Sequence, residues 1–136
     1  MSEDHSKSVS KNFSQAYVLT DEKEHFLGFY TLDTFSIHRE QFELDRPSSL
    51  LPAVPVIKLG MLGVDRSIQG RGIGKRLLRD ALLRVIEISH IAGCAGVYLL
   101  AEEKAIGFYE KLGFAMPKQT SPVPMFLHID KIMECI

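Results

Sequence analysis

Apolar and polar residues follow two different periods along this chain. Gln15-Ala16-Tyr17-Val18-Leu19 and Phe26-Leu27-Gly28-Phe29-Tyr30-Thr31-Leu32 are short, aromatic-rich runs separated by the polar Asp21-Glu22-Lys23-Glu24, which predicts two strands joined by a hairpin turn. Val56 to Val64 reads as a third, buried strand. After it the period changes. Ile73, Leu77, Leu78, Ala81, Leu82, Val85, Ile88 and Ala92 recur at helical spacing, with Lys75, Arg76, Arg79, Arg84 and Glu87 on the other faces, so a long amphipathic helix is expected over Ile73 to Ala92. Gly93 is well placed to end it. Val97 to Ala101 predicts a short central strand, Lys104 to Leu112 a short helix, and Met125 to Ile129 the last strand.

The remaining stretches read as connections. Ser36 to about Pro55 is charged and then punctuated by Pro47, Pro52 and Pro55, so loop with at most a helical turn is expected. A second loop holds Pro117, Pro122 and Pro124. The polar residues 1–13 are expected to be mobile, leaving residues 14–136 as one domain. A hairpin followed by strand, helix, strand, helix and strand implies an α/β arrangement, a mixed sheet with helices against its faces.

Composition narrows the class without naming a function. With 136 residues the chain is large enough for one core and too small for two. Apolar residues at 46% and charged residues at 24% are ordinary for a globular protein. No apolar stretch is long enough to span a bilayer and no signal-like segment opens the chain, so a cytoplasmic location without membrane contact is expected. Cys94 and Cys135 lack metal-ligand neighbours and are expected to be reduced thiols; no metal site is expected. The net charge of −1 argues against general nucleic-acid binding. Its distribution does not, because Arg66, Arg71, Lys75, Arg76, Arg79 and Arg84 are gathered between Asp65 and Arg84.

The chemistry concentrates where the third strand meets the long helix, at Gln69-Gly70-Arg71-Gly72-Ile73-Gly74. Glycines let the main chain curl and approach a ligand without Cβ interference, and the helix that starts there offers unpaired N–H groups and the positive end of its dipole. Arg71 and Lys75 add full charges, so the segment reads as a diphosphate cradle. It is not a Walker loop, since Gly74-Lys75 is followed by Arg76 and the first glycine position holds Gln69. Nor is it a dinucleotide fingerprint, whose third glycine would fall at Lys75. Gln-x-x-Gly-x-Gly remains, and it resembles the acetyl-CoA loop of the GNAT superfamily, the Gcn5-related N-acetyltransferases. A second segment, Ala105-Ile106-Gly107-Phe108-Tyr109-Glu110-Lys111-Leu112-Gly113-Phe114, is similar to that family's late helix and follows in the right order. The likeness runs from about Gln15 to Asp130.

This resemblance implies a mostly antiparallel sheet in which one strand pair splays apart to admit acetyl-CoA as co-substrate. The main-chain groups of Leu62 and Val64 would pair with pantetheine, with Gly60 and Gly63 easing the distortion; Gln69, Gly70, Arg71, Gly72, Ile73, Gly74 and Lys75 would hold the pyrophosphate. An amine would attack the acetyl carbonyl directly, through an oxyanion held by an N–H near Val64, and Tyr109 would give a proton or hydrogen bond to the departing thiolate. His25, His38, His90 and His128 are scattered and none is assigned as base. An acceptor α-amine, with a pKa of roughly 7.7–8.0, needs a base less than a lysine does.

Val64-Asp65-Arg66-Ser67 before the loop, Leu78-Arg79-Asp80-Ala81 in the helix and Pro122-Val123-Pro124-Met125 near the end are similar to the toxin branch, whose members acetylate aminoacyl-tRNA and are restrained by a ribbon-helix-helix antitoxin. Ala101-Glu102-Glu103-Lys104 also follows the toxin pattern where many small-molecule enzymes have asparagine. Such enzymes usually begin with an extra strand and two helices, for which this chain has only a short polar segment. Three readings follow: an aminoacyl-tRNA N-acetyltransferase toxin, an acetyltransferase for a small amine or protein N-terminus, and a catalytically silent CoA- or partner-binding domain. Homodimerisation is also implied by the resemblance.

Overall fold

The computed structural model describes residues 5–10, 14–38, 53–115 and 123–135. In chain order the elements are β1 (His5–Ser10), β2 (Gln15–Thr20), β3 (Phe26–His38), β4 (Ala53–Val64), a single 3-10 turn (Arg66–Ile68), α1 (Ile73–Ile91), β5 (Gly96–Ala101), a second 3-10 turn (Glu103–Ala105), α2 (Ile106–Lys111), β6 (Val123–His128) and α3 (Ile129–Cys135). The strands form one sheet in the order β1-β2-β3-β4-β5-β6. Every neighbouring pair is antiparallel except β4 and β5. A parallel pair needs a crossover, and α1 supplies it.

The two faces of the sheet are furnished differently because strand side chains alternate. On one face Tyr30, Leu32, Ile57, Leu59, Val97, Leu99, Met125 and Leu127 pack with Leu77, Leu78, Ala81, Leu82 and Val85 of α1 and Ile132 of α3. Ile37, Val54, Val56, Tyr98 and Phe126 form a smaller cluster of their own. Six of the eight positions read as the helical stripe, Ile73, Leu77, Leu78, Ala81, Leu82 and Val85, are buried in α1, whereas Ile88 is half-buried and Ala92, just past the helix end, is exposed.

Several elements differ from their sequence reading. Residues 5–10, expected to be mobile, form a strand paired with β2 from His5↔Thr20 to Ser10↔Gln15. Edge pairing uses main-chain groups, and a strand of Ser and Lys is the polar kind that edges favour. β3 runs on to His38 and β4 begins at Ala53, inside the stretch expected to be loop. Ile37, Val54 and Val56 are buried there, so alternation on one face outweighs the proline signal. The loop and helical turn expected further inside that stretch lie outside the described residues. α3 has no counterpart in the sequence reading, since about two turns anchored by the fully buried Ile132 are too short to show a period. α2 is shorter than expected at its start, where Glu103–Ala105 is a 3-10 turn.

One polar knot ties α1 to the strands that carry it. The buried Tyr30 hydroxyl donates to Asp80, and Arg84 Nε–H donates to the Tyr30 oxygen at 2.7 Å. The Arg84 guanidinium lies 4.0 Å from the ring centroid of Tyr17, which stacks on Tyr30 at 5.1 Å. Burial, reinforced by Asp80, pushes the Tyr30 hydroxyl far above the usual phenol range, so it remains a donor at physiological pH. Arg84 therefore faces inward and does not join the exposed basic surface of Arg71, Lys75, Arg76 and Arg79.

Candidate active site

The site is organised by a strand that leaves its partner. β4 pairs with β5 at Ile57↔Val97, Lys58↔Tyr98 and Leu59↔Leu99, and then the two diverge. A register shift on the β3 side marks the same point: β3 advances from Tyr30 to Leu32 while β4 runs from Leu62 back to Leu59, one residue more. Thr31 Oγ1 accepts the Met61 N–H at 2.9 Å, so a donor freed by the bulge is satisfied. A Cβ on Gly60 would stand 2.7 Å from that same oxygen, which is why the position suits glycine.

Beyond the bulge the hydrogen-bond phase decides which main-chain groups are available. The Asp65 N–H donates to the Leu27 carbonyl at 3.0 Å next to the Gly28↔Val64 pair, which makes that pair the non-hydrogen-bonded kind. Two residues along, Tyr30↔Leu62 has the same phase. The N–H and C=O groups of Leu62 and Val64 therefore point away from β3, toward the side that β5 has left. A cleft of about 380 Å³ lies there, lined by Leu59, Gly60, Met61 and Leu62 of β4, Leu99 to Ala101 of β5, and Glu102, Ala105 and Tyr109.

At the far end of β4 the chain turns through the 3-10 turn into the glycine loop. Gly70 and Gly72 have φ of 85° and 78°, left-handed conformations that favour glycine. Gly72 is the N-cap of α1 and no side chain caps the helix. The Arg76 N–H is bonded to the Gly72 carbonyl at 3.2 Å, so the N–H groups of Ile73, Gly74 and Lys75 precede the first intrahelical bond. Nothing lies within 4 Å of a Cβ built on Gly70 or Gly72, so the space above the loop is open. Arg71 and Lys75 are exposed beside it, whereas the Ile73 side chain is buried and pins the loop to the core. Gln69 Nε2–H donates to the Val64 carbonyl at 3.4 Å, linking the loop to the splayed strand.

Tyr109 reaches the cleft from α2. Its ring meets Phe108 and Phe114 edge-on, at centroid separations of 5.2 and 5.4 Å. The Leu112 and Phe114 N–H groups both donate to its carbonyl, at 3.0 and 3.2 Å. Burial raises its hydroxyl above the usual phenol pKa, so it keeps its proton through the neutral range.

Leu62 and Tyr109 thus line one cleft, Val64 continues the same strand edge, and residues 69–75 form the loop that follows. Thr31 carries no signal in the sequence, because its part depends on a bulge that only cross-strand register reveals. Among the described residues no group of His, Cys, Asp and Glu could hold a metal ion, and no helix is long and apolar enough to cross a membrane.

Comparison with known proteins agrees with this architecture. The family model for the acetyltransferase (GNAT) domain matches residues 12–116, and the chain belongs to that family. It is 33% identical over 102 residues to the tRNA-acetylating toxin of Mycobacterium tuberculosis, covering 74% of this chain and 61% of that protein. This chain therefore matches less than two thirds of that relative's length. A solved structure of AtaT complexed with acetyl-methionyl-tRNAfMet superposes with a TM-score of 0.78 at 29% identity, over 90% of this chain and 75% of the other. One of AtaTR bound with AcCoA gives 0.72 at 30% identity, over 90% and 71%.

Proposed function

We propose that the chain transfers the acetyl group of acetyl-CoA to the α-amino group of an aminoacyl-tRNA. The observation that carries the reading is the outward-facing main-chain edge of Leu62 and Val64 on a strand whose neighbour has departed, with Tyr109 on the wall of the resulting cleft. Pantetheine is amide-bearing and extended, so it pairs with such an edge as another strand would. The N–H groups of Ile73, Gly74 and Lys75, the helix dipole and the charges of Arg71 and Lys75 hold the pyrophosphate.

Pinned at both ends, the thioester is held in one pose and part of the entropic barrier is met by binding. The neutral amine attacks the carbonyl carbon. A tetrahedral oxyanion forms against an N–H near Val64, the attacking nitrogen releases its extra proton to water, the C–S bond breaks, and the thiolate takes a hydrogen bond from Tyr109, or a proton that Tyr109 regains from water. A thiol of pKa ~8.5 is a tolerable leaving group. The exposed Arg71, Lys75, Arg76 and Arg79 give α1 a basic surface for the RNA, and a ribbon-helix-helix antitoxin is the partner that the toxin-branch resemblance implies.

Labelled acetyl-CoA offered with charged tRNA, uncharged tRNA and free amino-acid amides tests this. Label is expected on charged tRNA alone or in large excess, with log rate falling against log salt by ~0.7–0.9 for each phosphate contacted. Equal labelling of free amides, unaffected by ribonuclease and salt, would instead identify a small-amine enzyme. CoA binding with no labelled product would identify a silent domain.

A further inference from the structure

The parting of β4 and β5 leaves one main-chain acceptor on β5 without a strand partner. The Ile129 N–H donates to the Ala95 carbonyl at 2.8 Å next to the Gly96↔His128 pair, and Phe126 exchanges both its main-chain bonds with Ala115, so Gly96↔His128 and Tyr98↔Phe126 are non-hydrogen-bonded pairs. Leu100, two residues on and opposite Pro124, has the same phase. The N–H and C=O groups of Tyr98 and Leu100 therefore point toward β4. Pairing with β4 ends at Leu59↔Leu99, which uses the Leu100 N–H but not its carbonyl. An unbroken ladder would offer that carbonyl the Met61 N–H, two residues beyond Leu59. The bulge turns this N–H the other way, onto Thr31 Oγ1 at 2.9 Å. The Leu100 carbonyl is thus directed into the cleft that Met61, Leu62 and Tyr109 also line.

We propose that the attacking amine donates one N–H to the Leu100 carbonyl, and that Thr31 is a positioning residue that keeps this oxygen unpaired by holding the Met61 N–H on the β3 side. The inference rests on the amine-acetylation reading and deepens it by naming the group that orients the acceptor nitrogen. A neutral primary amine has two N–H donors and one lone pair, so a single hydrogen bond to a carbonyl fixes its direction and leaves the lone pair free to attack. The oxygen carries no net charge, so it does not hold the amine protonated as a carboxylate would. As the C–N bond forms the nitrogen gains positive charge, and the N–H···O bond strengthens in the transition state relative to the ground state. Pantetheine is served by the facing edge, at Leu62 and Val64.

The carbon-13 shift of the Leu100 carbonyl, in the full chain loaded with CoA at about pH 9, tests the proposal; an α-amine of pKa roughly 7.7–8.0 is mostly neutral there. L-alanine methyl ester is expected to move this resonance downfield. Its N,N-dimethyl analogue, which when neutral has no N–H, is expected to leave it in place. A resonance that CoA alone shifts and the amine does not, or that both esters shift equally, overturns the proposal. In acetyl transfer, Thr31→Val is expected to lower kcat/KM for the amine at least about tenfold with acetyl-CoA affinity kept, because the freed Met61 N–H can swing toward Leu100 about the flexible Gly60. Thr31→Ser, which keeps the oxygen, is expected to restore the rate. A native rate in Thr31→Val, or an equal loss in Thr31→Ser, overturns the part given to Thr31; the shift comparison needs no variant to fold. Failure of acetyl-CoA itself to bind would be a failure of the functional reading, and the two esters titrated onto the unloaded chain would still decide the role of Leu100.

Discussion

Acetyl-CoA is expected to bind the Gly72→Glu variant about a hundredfold or more weakly, with little loss of fold. Two effects add. Gly72 sits at φ 78°, where a side chain costs roughly 1–2 kcal/mol, and a carboxylate would then project into the open space over a loop proposed to hold two phosphates. The backbone cost falls on affinity because the free loop sheds it by leaving the cradle conformation, which acetyl-CoA must then restore; with the charge, about 3 kcal/mol is close to two powers of ten in affinity. The fold should survive because no atom lies within 4 Å of the new Cβ and the core contact of the loop is made by Ile73. Gly72→Ala separates the terms, since it keeps the backbone cost and omits the charge. Titration calorimetry on the native chain and both variants, with thermal melts alongside, gives each value.

Tyr109→Phe is expected to lower the rate of acetyl transfer by about a hundredfold to ten-thousandfold, the usual contribution of a positioned acid, while acetyl-CoA affinity changes little. The phenol ring packs edge-on against Phe108 and Phe114, and two hydrogen bonds to the residue's main-chain carbonyl fix the turn that carries it, so removing the hydroxyl leaves the ring's packing in place. Burial keeps that hydroxyl protonated at neutral pH, so the native enzyme should not lose the acid as pH rises toward 9. Rate should instead rise through the pKa of the acceptor amine, at roughly 7.7–8.0, and level off above it. Single-turnover kinetics of labelled acetyl transfer report both quantities. Equal rates for Tyr109 and the phenylalanine variant would remove the hydroxyl from the reaction.

How far the sequence could be read depended on how much of each feature is local. The glycine loop, the stripe on α1 and the Phe108 to Phe114 segment are written in contiguous residues, and each element was legible. Leu62 and Val64 were legible only through family resemblance, because which way their amides point is set by the pairing of Asp65 with Leu27 across the sheet. The knot of Tyr17, Tyr30, Asp80 and Arg84 was invisible for the same reason, and Arg84 was counted with a basic surface it does not join. Composition also misread β1, since polarity rules out a buried strand but not an edge one. Asp33 shows the limit most clearly. A lone acidic residue in an aromatic strand carries no motif, and that its Oδ1 is buried without a donor among the described residues emerges only from the cross-strand packing.

Amide chemical shifts of the isotope-labelled chain, followed as acetyl-CoA is added, test the central claim most directly. The largest changes are expected at the N–H groups of Leu62, Val64, Gly72, Ile73, Gly74 and Lys75, saturating together with a single affinity. Saturating acetyl-CoA that leaves those amides unmoved, or that shifts a separate set, would contradict the account.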